Sequence, residues 1–127
     1  MNEPINPGWL RYARYTFPPA VRRDNLLFVS GITAVDGEGN LVGEGDIVAQ
    51  ARFIYERIAE VVEAAGGTMA DVVQTTDYIT TTEGYRGTAD LRREVFGERF
   101  PAATGVIVAG LLRPGALIEI SAVAVLP

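Results

Sequence analysis

The chain has 127 residues, enough for one domain (1–127) with a layered core and too few for two. Its 48% apolar content reads as globular, and a net charge of −5 with scattered basic residues argues against a nucleic-acid backbone or an anionic membrane as partner. With no cysteine and no histidine, disulfides, thiolate chemistry, a Ser-His-Asp triad and ordinary zinc sites are excluded. Acid–base work must then fall to Asp, Glu, Tyr, a basic side chain or bound water. No stretch approaches the length of a membrane span and no signal-peptide core opens the chain, so the expected compartment is the cytoplasm.

Residues 1–11 carry Pro4, Pro7 and Gly8 and read as an irregular lead-in. Arg11 to Phe17 reads as a short strand stopped by Pro18 and Pro19. Leu26 to Thr33 is a buried strand by length and β-propensity, and Gly31 inside it signals a bulge or a close backbone approach. Asp36 to Asn40 has turn chemistry, with Leu41-Val42 returning as a short strand. Asp46 then caps an amphipathic helix: Ile47, Ala51, Ile54, Ile58, Val61, Val62 and Ala65 recur at helical spacing. Gln50, Arg52, Glu56, Arg57, Glu60 and Glu63 fill its other side, and Gly66-Gly67 stops it.

Val72 to Thr80 is a strand rich in Val, Thr and Tyr. A second helix is expected from Tyr85 to Gly97, then strands over Ala103 to Ala109 and Ala116 to Val125, joined by a turn at Arg113-Pro114-Gly115. Interleaved strands and helices, with antiparallel hairpins at both ends, predict an α+β fold: a mixed sheet with both helices on one face. The other face has no helix left to cover it, and self-association is the simplest cover.

Five segments, in order, resemble the RidA/YjgF family: Leu27 to Gly31, Gly43 to Arg52, Ala64 to Val73, Phe100-Pro101-Ala102 and Leu117 to Val125. The resemblance runs from about residue 16 to 125. It implies a chorismate-mutase-like fold whose sheets form a trimeric barrel, with small-molecule sites between subunits of a homotrimer. It also implies hydrolysis of an imine or enamine to a ketoacid and ammonia, with no metal and no organic cofactor. The alternative is a non-catalytic trimer of the same fold that binds a metabolite or a partner.

Carried over by position, the family's carboxylate-binding arginine falls on Ala103, its water-positioning glutamate on Ser121 and its pocket tyrosine on Phe17, while Ser30-Gly31 stands unchanged. Glu119, two residues before Ser121 on the same strand face, is a carboxylate in an otherwise apolar strand. It is either a desolvated base or water holder, or a structural group bonded to backbone N–H. Thr104 and Ser121 are candidates for orienting a water, or are satisfied locally. Arg14 and Arg92 are candidates to replace the missing arginine, or are solvated surface charges. Asp77 is either buried and paired or exposed at an edge. Trp9, Tyr12, Tyr15 and Phe17 either wall a planar ligand or pack between subunits.

Overall fold

The longest element starts where the Asp46 carboxylate accepts a hydrogen bond from the Ala49 N–H at 3.0 Å, satisfying an otherwise orphaned helix donor. In this computed structural model, which describes residues 1–127, that helix (α1) spans Ile47–Ala64, and the chain turns out of it through Gly66 at φ +92°. Its stripe of Ile47, Ala51, Ile54, Ile58, Val61 and Val62 is buried, each large side chain contributing about 1.5–3 kcal/mol by leaving water. One residue assigned to the polar side belongs inside. Gln50 is fully buried: its Nε2 donates to the carbonyls of Gly43 and Gly115, both at 3.2 Å, and its Oε1 accepts from the Leu117 N–H at 2.8 Å. It ties the start of α1 to the entry of the last strand.

Six strands form one sheet: β1 (Glu3–Ile5), β2 (Ala20–Arg23), β3 (Leu26–Ile32), β4 (Val72–Ile79), β5 (Ala102–Ile107) and β6 (Ile118–Val125). Their spatial order is β1-β2-β3-β6-β4-β5. Every pairing is antiparallel except β4 with β5, whose parallel register requires a crossover. The second helix, α2 (Thr88–Phe96), supplies it. Both helices cover one side of the sheet, so the mixed α+β architecture expected from the sequence is present. Along β6, Ile118, Ile120, Ala122 and Ala124 are buried under the helices, whereas Glu119, Ser121 and Val123 point to the other side and are half-buried. That other side is uncovered, with Leu26, Phe28 and Val125 each more than a third exposed.

The N-terminal third departs from the expected elements. Leu10–Arg14 is a 3-10 helix, not part of a strand, and the β2 strand starts after the prolines rather than before them. The aromatic spacing gives the reason. Trp9, Tyr12 and Tyr15 are three apart, and a 3-10 helix places residues i and i+3 over one another. Their rings follow in sequence, with centroids 5.7 Å and then 5.0 Å apart. Side-chain packing therefore overrides the strand propensity of Tyr and Thr. The Asn6 side chain fixes the entry by accepting from the Gly8 and Trp9 N–H groups at 3.0 and 2.7 Å. β2 pairs with β3 through a tight turn with Asp24 at φ +53°. The expected Leu41-Val42 strand reduces to a single bridge between Val35 and Leu41, and Tyr85–Gly87 is a 3-10 turn leading into α2.

Candidate functional site

The site begins with a bulge. Val29 pairs with Ala122 and Ile32 with Ile120, so Ser30 and Gly31 together oppose Ser121 alone. The extra residue bends β3 and brings the Gly31 backbone against the side chain of Glu119. A Cβ added to Gly31 would overlap the Glu119 carboxylate. Glycine lets the acid lie against the backbone here, and a larger residue is accommodated only by displacing the Glu119 side chain. Gly31→Ala is expected to fold and to weaken ligand binding about tenfold or more, measured by titration.

Glu119 and Gly31 line a cleft of about 670 Å³ together with Trp9, Arg11, Tyr12 and Phe17. A second hollow of about 470 Å³ lies beyond the same aromatic residues. The rings form one cluster. Tyr15 and Phe17 stack at 5.3 Å with their planes 13° apart, and Tyr12 meets both edge-on. Ser30 does not reach the cleft. Its hydroxyl donates to the Pro18 carbonyl at 2.8 Å and its N–H to the Pro19 carbonyl at 2.9 Å, pinning the segment that carries Phe17.

The electrostatics single out Glu119. Desolvation raises its pKa, and no ion pair or side-chain hydrogen bond within the chain offsets that cost. The Tyr12 phenol is also pushed up, first by burial, with Arg11 lowering it and Tyr15 and Glu119 raising it.

The remaining sequence-predicted residues lie elsewhere. Ser121 and Thr104 both pair with Thr76, forming a row of hydroxyls on the uncovered side of the sheet, one rung from Glu119. Ala103 pairs with Thr75 and so belongs to the helix side, where Arg92 also lies. The Arg92 Nη1 donates to the Tyr55 hydroxyl at 2.8 Å and to the Thr75 hydroxyl at 3.1 Å. Burial drives the Tyr55 pKa up to about 12. Asp77 is buried beside them and accepts from the Tyr85 hydroxyl at 2.6 Å. Desolvation raises its pKa, while the Tyr85 hydrogen bond and Arg92 pull it down. Arg92 thus belongs to a structural polar network across the sheet from Glu119. Arg14 is exposed at the end of its 3-10 helix, outside the cleft. The arginines that line the cleft are Arg11, Arg57 and Arg113; Arg11 is held by the Asp36 carbonyl at 2.9 Å and the Tyr15 hydroxyl at 3.1 Å. The three-residue aromatic period was the available signal for its placement.

The same fold recurs in known proteins. The family model described as Endoribonuclease L-PSP matches residues 11–126. A Mycobacterium tuberculosis member of the YjgF/YER057c/UK114 family is 31% identical, with 99% of this chain and 100% of that chain covered and a TM-score of 0.83. YyfA of Yersinia pestis, from the conserved Rid protein family, is 30% identical over 99% and 100% of the two chains, with a TM-score of 0.87. RidA from an Antarctic Psychrobacter is 29% identical over 89% and 90%, with a TM-score of 0.81. With its family model matched over nearly the whole length and the same fold in these structures, the chain belongs to the YjgF/Rid family, also described as Endoribonuclease L-PSP.

Proposed function

We propose that this chain is a cofactor-independent hydrolase of small imines or enamines, working as a homotrimer, with Glu119 as the group that activates water. The observation that carries this reading is the unpartnered Glu119 carboxylate, desolvated and laid over Gly31 in an aromatic-walled cleft. A carboxylate kept partly dry with a raised pKa is a general base nearer its operating range than an ordinary glutamate. In the proposed reaction Glu119 takes a proton from water as the new C–O bond forms at the imine carbon. It then returns the proton to nitrogen, and the C–N bond breaks as the carbinolamine hydroxyl gives up its proton to the freed carboxylate or to water, leaving a carbonyl and ammonia.

The uncovered sheet side, with Phe28 48% exposed, supports the trimer. An RNA substrate fits less well. The chain carries a net charge of −5, and the open Glu119 carboxylate in the cleft repels a phosphate.

Ammonia release from imines generated in place, 2-iminobutyrate from a threonine dehydratase among them, tests the proposal. Acceleration over buffer that disappears in Glu119→Gln supports it. If the folded protein accelerates none of them, the second reading stands: a trimer that binds a metabolite without turning it over. Two observations favour that reading. Ser121 and Thr104 lie outside the cleft, and Ala103 lies across the sheet from it.

A further inference from the structure

The charges lining the cleft differ in how far each is already committed. Arg11 spends both terminal nitrogens on the Asp36 carbonyl and the Tyr15 hydroxyl. Asp36 in turn uses its carboxylate on the N–H groups of Glu38 and Asn40, each at 2.9 Å, closing its own turn. Arg57 and Glu60 pair with each other at 2.9 Å. Arg113 donates through Nη2 to the Gly39 carbonyl at 2.8 Å, and its unpartnered Nε is shut off from solvent and from any ligand. Glu119 alone has an open carboxylate and no partner, and none of these guanidinium groups acts on it. A charge left unpaired in a partly dry cleft calls for a ligand of opposite sign.

The walls beside it agree. The stacked Tyr15 and Phe17 rings are 41% and 48% exposed, and their π faces attract cations as well as flat apolar groups. We propose that the cleft selects an organic cation: a small amine or iminium whose N–H groups bond to Glu119 while its carbon frame lies on the Tyr15–Phe17 stack. By the same geometry it disfavours ligands that bring a carboxylate to that end. This rests on the proposed site and narrows its substrates to protonated, carboxylate-free imines and their amine analogues.

The test is binding, separate from turnover. Trp9 is the only tryptophan in the chain and lines the cleft, so its fluorescence reports occupancy without a label. The full-length protein is titrated with benzylamine, benzyl alcohol and benzoate, which share one ring and differ in the charge of the end group. Benzylamine is expected to bind about 10- to 100-fold tighter than benzyl alcohol, the size of one charge-assisted hydrogen bond, with benzoate weakest. Glu119→Gln is expected to erase the amine's advantage and leave the alcohol unchanged, with circular dichroism confirming the fold. Phe17→Ala should weaken amine and alcohol together.

Benzoate binding as tightly as benzylamine overturns the proposal. So does amine binding that survives Glu119→Gln, or no saturable response from any of the three in the millimolar range. If the amine binds as expected while no imine releases ammonia, the cation site stands and the hydrolase reading fails. Ammonia release without amine preference gives the converse.

Discussion

Glu119→Gln is expected to lower kcat/KM for imine hydrolysis by about 10²- to 10⁴-fold, the usual contribution of a positioned general base, while the melting temperature stays at or above that of the parent. Both halves follow from one fact. The carboxylate is desolvated by its surroundings and receives nothing from the chain in return. An amide of the same shape keeps the packing over Gly31 and drops the cost of a charge in a partly dry place. A structural carboxylate would behave in the opposite way, since losing its partners destabilises the fold.

The pH dependence carries the same signature. Because its folded pKa is raised, Glu119 holds more protons in the native state than in the unfolded chain. Its contribution to stability is therefore fully present below the ordinary value of 4.5 and is lost as pH rises through the folded pKa. Thermal melts from about pH 4 upward should show a smaller decline for Glu119→Gln than for the parent. A variant that melts well below the parent at neutral pH would make Glu119 a structural residue.

The second large effect is on stability. Gln50→Leu is expected to cost about 2–4 kcal/mol, since each buried group left without its partner costs about 1–3 kcal/mol and some are rescued by water. The side chain satisfies two carbonyls and one N–H from three separate residues, Gly43, Gly115 and Leu117. Leucine fills a similar volume and satisfies none of them. For a chain of this size the midpoint should fall by roughly 10 °C, with the denaturant slope unchanged if the unfolding remains two-state. A loss below about 0.5 kcal/mol, as for an ordinary surface substitution, would mean that these groups find other partners.

Gln50 also shows where reading the sequence stops. Helical periodicity located α1, its cap at Asp46 and its glycine stop, because those depend on residues near one another in the chain. The same periodicity put Gln50 on the wet side, because glutamine is usually exposed. Its partners Gly115 and Leu117 are more than sixty positions away, and no local pattern announces them. The bulge at Gly31 was legible, since a glycine inside an apolar strand marks a bulge or a close approach of another group to the backbone. That it serves the Glu119 carboxylate depends on the register of β3 against β6, which is again long-range.

The alternation along β6 put Glu119 and Ser121 on one face correctly, yet could not say that the cleft reaches only the first. Position-by-position analogy pointed to Phe17, Ser30-Gly31, Ala103 and Ser121; of these only Phe17 and Gly31 line the cleft, which Glu119, Arg11 and Tyr12 also furnish. Tyr12 was among the aromatic residues read as walling a ligand or packing between subunits, whereas Arg11 was missed because the segment read as a strand. Period two scatters the aromatic rings, and the period of three that is present gathers them.

The position of β6 in the sheet governs how this chain comes off the ribosome. β6 is synthesised after the five strands it joins, yet it lies between β3 and β4. Until it emerges, the nascent chain holds two unconnected ribbons, β1-β2-β3 and β4-β5, each with an open edge where β6 belongs. Hairpins and helix can form early, but the nucleus that commits the whole molecule must include its C-terminal segment, closing contacts between residues up to about a hundred positions apart. A stalled or truncated product lacking β6 would present two sticky strand edges at once, which makes it a natural target for chaperones and proteases rather than a partly working protein.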